Sequence, residues 1–397
     1  MATITCQLLS HSNGNPLQQL YTGFSQLQRR GIVRVAQTIV RRDFRSAHAP
    51  QHLRYARYAQ LHVVVDGRLQ LHYDVHDSRE IDGEHLERSD CYFKRSYCSA
   101  YLEGLGEKAR KVHPLGLNYL VYADEPDHAA LQRGIFLPDP ENGKLRALLR
   151  ATGLGERLMY TPRLSALQSP PDFDAPPRIL FMTGVWDPHD DPQRAQDKIE
   201  ERIRINEMRA ACVRLLRREF GSRFQGGLIH SEFARRHYPD ALLPDNSQSA
   251  SRHYFELLRK HPVCVATSGL HGSIGWKFAE YVAFAKAIVS EKLNYEVPGG
   301  LAPGVNYLEF QSAEDCVTQA TRLLRDRSLR HALMDANARY YQSHLRPDVL
   351  VLNTLLVALL HADRAVGADG HRPRVDAHSP DAVGLAGARR GRAAADV

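Results

Sequence analysis

Between Thr267 and Glu291 lie the residue types that handle a phosphorylated ligand. Ser268, Gly269, Gly272, Ser273 and Gly275 form a glycine- and serine-rich stretch after an apolar, strand-like run, Pro262 to Ala266. Trp276, Lys277 and Glu280 then open a helix-like segment, and the apolar run Ala287 to Val289 follows. Strand, glycine loop, helix and strand is a unit that binds anions. Backbone without side chains approaches a ligand closely, and the unsatisfied amides at a helix start attract negative charge. The amides of Gly272, Ser273 and Ile274 are placed to cradle a diphosphate, with Lys277 as a point charge or a solvent-facing lysine. His271 is either a donor to a phosphate or sugar hydroxyl, or a structural loop histidine. Glu280, within the first two turns, is placed to accept two ribose hydroxyls at once.

A base is needed wherever a hydroxyl is to be made nucleophilic. Asp77 or His76 supplies one at the end of a predicted hairpin strand, alongside Asp74; the alternative is a turn-forming aspartate. Phe93 to Tyr97 is a basic strand end suited to an acceptor phosphate or the donor, and Pro114 to Tyr119 is a turn that lines a cleft. Thr183 and Gly184 end another strand, and Trp186 next to them is either a wall of a site or a packed aromatic. Asp172 and Asp174, and the run Asp187 to Asp191, imitate metal clusters. The first pair sits in a proline-rich linker and the second suits a helix start, where carboxylates favour the dipole. No metal is expected at either.

The 267–291 segment resembles the donor-binding half of GT-B glycosyltransferases, in the group 1 and CgeB-like bacterial set. Glu280 and the ending Ala287, Ile288, Val289 match that family's ribose-binding helix and the stretch after it. Gly272 stands where many retaining members carry a second glutamate, so that role is not transferred. The resemblance implies an α/β chain of two Rossmann-like domains facing across a cleft, with a C-terminal helix crossing back to the first. It also implies a metal-independent hexosyltransferase without a cofactor. That enzyme moves a sugar from a nucleotide-diphosphate donor to a hydroxyl of a glycan or lipid-linked acceptor, in cell-surface polysaccharide assembly. The donor contacts would be Gly184, His271, Gly272, Ser273, Lys277 and Glu280, with Asp77 or His76 as base. A glycosyltransferase-like binding or scaffold protein, and a nucleotide-sugar epimerase of the same fold, are the alternatives.

The elements that position these residues follow from pattern. The chain has 397 residues, more than one typical domain. Ser169 to Pro177 carries Pro170, Pro171, Pro176 and Pro177, which forbid helix and favour an extended spacer. The expected organisation is an acceptor-side domain over 1–168, a linker over 169–177, a nucleotide-sugar domain over 178–346, a crossover or core helix over 347–362, and a disordered tail over 363–397. In the first domain, strands are expected at Ile4 to Leu9, Ile32 to Val40, Asp90 to Ser96 and Leu117 to Tyr122. A helix is expected over Pro16 to Arg30, and Asp66-Gly67 suits a type I′ hairpin turn. In the second, Asp197 to Phe220, Ser249 to Lys260, Ala313 to Arg325 and Ser328 to Leu345 read as helices between strands, hence a parallel sheet.

Formal net charge is +7. It is compatible with phosphate-bearing substrates and with peripheral contact with an anionic membrane. Aromatic interleaving of the kind that stacks bases is missing, so nucleic acid is not an expected partner. The arginines of 202–218 alternate with glutamates and read as a solvated, ion-paired helix face. No apolar run of about 18 residues is present, no signal peptide is expected, and six scattered cysteines without a C-x-x-C pair point to a reducing cytosol rather than zinc or disulfides. A cytoplasmic protein, at the inner face of the membrane where it touches one, is the expectation.

Overall fold

The computed structural model describes residues 3–10, 14–39, 59–124 and 162–368. The first domain is built on a sheet of β1 (Ile4–Ser10), β2 (Val33–Ile39), β3 (Gln60–Val65), β4 (Leu69–Asp74), β5 (Cys91–Lys94) and β6 (Val112–Pro114), in spatial order β2-β1-β3-β4-β5-β6. It is a mixed sheet. β1 and β2 are parallel, β3 lies antiparallel between β1 and β4, and β4, β5 and β6 are parallel. The antiparallel step comes from the β3–β4 hairpin, whose Asp66 (φ 49°) and Gly67 (φ 68°) have the left-handed conformations of a type I′ turn. Helix α1 (Gln18–Arg29) covers one face, while α2 (Gly83–Arg88) and α3 (Ser99–Leu102) follow β4 and β5.

Leu117 to Tyr122 is not a strand. Pro114 and Gly116, the latter at φ 111°, turn the chain out of the sheet. The segment is instead held by side chains: Thr22 Oγ1 donates to Val121 O and Asn118 Nδ2 to Pro16 O. The expected proline linker is irregular over 169–177.

The second domain is a wholly parallel sheet, β11 (Tyr307–Phe310), β10 (Ala287–Glu291), β9 (Val263–Ala266), β7 (Ile179–Thr183) and β8 (Phe224–Leu228), in that order. Helices α4 (Gln196–Phe220), α5 (Glu232–His237), α6 (Ser251–Lys260), α7 (Trp276–Ala283), α8 (Ala313–Arg325) and α9 (Arg327–Tyr340) connect and cover it. Read from β8, the order is second, first, third, fourth, fifth strand, a doubly wound Rossmann-like arrangement. Its direction of winding reverses between β7 and β9, and ligands of such sheets sit outside the carboxyl ends of the strands at that point.

Helix α10 (Pro347–Ala368) returns to the first domain. Its Leu350, Val351, Leu355 and Ala358 belong to the core formed by β1, β3, β4, β5 and α1, and Tyr73 on β4 hydrogen-bonds Thr354 at 2.8 Å. The helix is therefore a crossover rather than a core element of the second domain. It also runs six residues beyond the expected end at 362, into the expected tail; residues 369–397 lie outside the described ones. Gly23 on α1 makes the approach possible, since a Cβ there would stand 2.2 Å from Pro347 O and 2.5 Å from Val351 Cγ2. No single described helix is long and apolar enough to cross a membrane, and the bent pair that passes by length and composition, Arg327–Leu345 with Pro347–Ala362, packs into the two cores. Two α/β domains and a crossover helix are thus present, the architecture expected above.

Candidate functional site

A cavity of about 460 Å³ opens where the second sheet reverses its winding. One wall is the end of β7 with Thr183, Gly184 and Trp186. Another is the end of β9 and the glycine loop, from Thr267 to Lys277, and Asp77 and Arg95 close it from the first domain. Of the residues singled out by type, Asp77, Gly184, Ser273 and Lys277 reach this cavity. His76, His271, Gly272 and Glu280 do not line it.

The glycine loop is a short 3₁₀ turn, Leu270–Gly272, with His271 at φ 60° and Gly272 at φ 66°. It spends several amides internally: Gly269 N donates to Ser273 O, Ser273 N to Leu270 O, and Ser268 N to the carboxylate of Glu291. The Ser273 amide is thus occupied, contrary to a cradle made of three consecutive amides. Gly272 faces Asn294 on the far side of the loop. The amides of Gly275, Trp276 and Lys277, at the start of α7, take no partner among the described residues, as expected of a helix N-terminus.

Lys277 Nζ lies 3.9 Å from the centre of the Tyr254 ring. Burial lowers its pKa, and Glu280 nearby acts in the opposite sense. Glu280 itself is turned toward α6, where its Oε2 accepts from Tyr254 OH at 2.9 Å. Burial raises its pKa, against the pull of Lys277 and Tyr254. It stands behind Lys277 rather than in the cavity wall.

Arg209 is the principal cation that pattern reading missed. The expected solvated face of α4 holds for Arg214, paired with Asp240. Arg202, Asn206 and Arg209, however, are buried and spaced i, i+4 and i+7 on one helix face. Together they hold the loop after β7. Arg202 donates to Asp187 O and Asp190, Asn206 brackets the backbone of Trp186, and Arg209 donates to Gly184 O (2.6 Å), Ser268 O (2.9 Å) and Thr267 Oγ1 (3.0 Å). The guanidinium also lies 4.5 Å over the Trp186 ring. No carboxylate pairs with it among the described residues, and burial pushes its pKa down to about 10. The polar i, i+4, i+7 stripe was the available signal. Asp190, clamped by Arg194 and Arg202, does not cap α4, whose N-cap is Ala195. Asp174 of the linker pairs with Arg327.

Arg95 joins the domains. It donates from Nη1 to Asp77 at 2.5 Å and from Nη2 to Ile274 O at 2.6 Å. Ser96 Oγ donates to His76 O and Asp77 O, fixing that loop. Asp77 is half exposed at the cavity edge. His76 is committed elsewhere: its Nδ1 and backbone amide both bond Asp74. Asp74 is buried and also accepts from Lys94 Nζ (2.9 Å) and Tyr92 OH (2.5 Å). Burial opposes its charge, yet Lys94, His76 and Tyr92 outweigh it and hold the carboxyl well below its usual range. This network sets the ends of β4 and β5, and it leaves Asp77 as the carboxylate facing the cavity.

No protein-family model and no curated protein matches this sequence. Solved structures similar to it include HepE of Anabaena, in complex with UDP and glucose, at 11% identity, covering 89% of this chain and 98% of that one, with a TM-score of 0.38. A glycosyltransferase of Rickettsia africae is similar at 11% identity, 89% and 84% coverage and a TM-score of 0.37. The UDP-GlcNAc 2-epimerase of Neisseria meningitidis bound to UDP-GlcNAc is similar at 12% identity, 70% and 62% coverage and a TM-score of 0.35.

Proposed function

We propose that this chain is a glycosyltransferase that moves a sugar from a nucleotide-diphosphate donor to a hydroxyl of a glycan or lipid-linked acceptor. The observation that carries it is the charge balance of the cavity. Arg95, Arg209 and Lys277 line it against one carboxylate, Asp77, at the switch point of a doubly wound sheet. That balance suits a diphosphate, and the volume lies in the range of small-ligand sites.

In this reading the bond between the anomeric carbon and the diphosphate oxygen breaks, and the negative charge left on the diphosphate meets Lys277, Arg209 and the α7 amides. Fixed dipoles and cations help most where charge develops during reaction. Asp77 takes the proton of the acceptor hydroxyl as its oxygen bonds the anomeric carbon. The cations fill the place that a divalent metal takes in other transferases, so the reaction is read as metal-independent and cofactor-free. Glu280 serves the donor through Lys277 and Tyr254, and reaches the ribose only if α6 and α7 part on binding. The net charge of +7 favours contact with an anionic membrane that carries the acceptor, and the protein is read as cytoplasmic.

Titration calorimetry with UDP, GDP, ADP and CMP, followed by donor hydrolysis with the matching nucleotide sugars, tests this. One diphosphate nucleotide is expected to bind well below about 1 mM and its sugar to be released. If none binds, the reading fails. The Arg95–Asp77 pair favours a second reading, a donor-binding protein without turnover, and binding with no sugar release across the panel would establish it.

A further inference from the structure

We propose that Cys91, His113 and His361 form a zinc-class metal site that fastens the crossover helix to the first domain's sheet. One sulfur and two imidazole nitrogens, all within 4.8 Å of one another, converge there from three separate elements.

Strand geometry explains the convergence. Successive strand residues alternate faces, so Cys91 and Phe93 of β5 share a face. His113 of β6 is in register with Phe93 and lies beside it, the rings 5.6 Å apart. That face is the one covered by α10, since Cys91 belongs to the same core as Leu350, Val351, Leu355 and Ala358. His361 follows Ala358 by about one turn on α10 and is partly buried at the sheet edge. Its ring lies 5.5 Å from that of His113 in an edge-on contact.

Two further observations point to a ligand rather than to packing. His113 Nε2 is shut off from solvent and has no hydrogen-bond partner, an expensive state for an imidazole nitrogen. Cys91 is a free, fully buried thiol beside it. A tetrahedral zinc site, with Zn–S of about 2.3 Å and Zn–N of about 2.0–2.1 Å, needs donor atoms about 3.3–3.6 Å apart. The present spacing, within 4.8 Å, is little more than 1 Å wider than that. A thiolate with two imidazoles selects Zn²⁺ or a similar borderline ion over Mg²⁺ or Ca²⁺. On binding, the thiol proton leaves to solvent, the three protein atoms become ligands, and a water completes the fourth position.

The site lies at the start of β5, away from the strand end that carries Arg95 into the cavity. It is therefore independent of the donor site and acts on how α10 is held. The lack of a C-x-x-C pair excludes only ligands close in sequence, and these three are brought together by the sheet and the returning helix.

The test uses the full chain without an affinity tag, stripped by a chelator and titrated with Zn²⁺ against a chromophoric competitor, then with Co²⁺. About one Zn²⁺ per chain is expected, and the Co²⁺ form should show tetrahedral visible bands with a thiolate charge-transfer band. Cys91→Ser should remove that band. His361→Gln, at a partly buried position of α10, should weaken Zn²⁺ binding more than the ~10–100-fold lost with a ligand's supporting partner. If Cys91→Ser does not fold, His361→Gln and the wild-type Co²⁺ spectrum decide. No bound metal, no thiolate band, or unchanged affinity in His361→Gln overturns the proposal.

Discussion

Replacing Arg209 by methionine separates its structural role from its binding role. With its pKa at about 10 against the ordinary 12.5, the buried guanidinium costs the folded protein roughly 3 kcal/mol at neutral pH, since each pKa unit is about 1.4 kcal/mol. A depressed cationic pKa is a penalty carried in full below the folded value and relieved only above it. Methionine removes that penalty and keeps much of the packing over Trp186. Against this, the carbonyls of Gly184 and Ser268 lose their donor, at about 1–3 kcal/mol each. These terms nearly cancel, so the variant should lose no more than about 3 kcal/mol of stability. Nucleotide binding has no such offset. A unit charge about 4 Å from a phosphate at an effective dielectric near 20 contributes up to about 4 kcal/mol, and a loss of about 2–4 kcal/mol corresponds to about 30- to 1,000-fold in Kd. Calorimetry on the folded variant, with a thermal melt as control, measures both quantities. Unchanged Kd for the nucleotide that binds wild type would refute the assignment of Arg209 as an anion site, and a collapsed melt would refute the cancellation.

Asp77→Asn should leave nucleotide affinity within a few-fold of wild type while transfer to an acceptor falls about 10²–10⁴-fold, and wild-type turnover would remove Asp77 as the base. Glu280 has a pKa raised by burial above its ordinary 4.5, so its contribution to stability is complete below that pH and is lost as pH rises through the folded value. Melting temperature of wild type relative to Glu280→Gln should therefore decline from pH 4.5 upward, and parallel curves would show that the carboxyl is not buried as described. Gly23→Ala drives a methyl against Pro347 O and Val351 and should cost about 1–3 kcal/mol or more by overpacking; an unchanged denaturant midpoint would mean that α10 does not press on α1.

The local signals were readable because they depend on neighbours in sequence. Asp66-Gly67 made its hairpin turn, the four prolines made an irregular linker, and the alternation of apolar strands with amphipathic helices led to a parallel second sheet. The glycine loop after β9 also ended at the cavity, because a strand's carboxyl end and the following turn are set by a few residues. The mixed pairing of the first sheet was less visible, since a hairpin reports its own two strands and not which neighbours flank them.

The amino-acid sequence by itself thus determined which elements form and that a phosphate-type loop follows a buried strand. Tertiary packing alone decided which side chains meet at its mouth. Arg209 shares a polar i, i+4, i+7 stripe with Arg202 and Asn206, but the stripe does not say what it faces; the position of the β7 loop made Arg209 a buried wall of the site, while Arg214 forms a surface ion pair. Glu280 has the right spacing to look into a cleft, yet α6 presents Tyr254 to it first. Cys91, His113 and His361 are too far apart in the chain for any spacing rule to join them. Local structure is governed by short-range sterics and periodicity, whereas a site assembled from several elements depends on how their faces are rotated and stacked, which is settled only when the whole core closes.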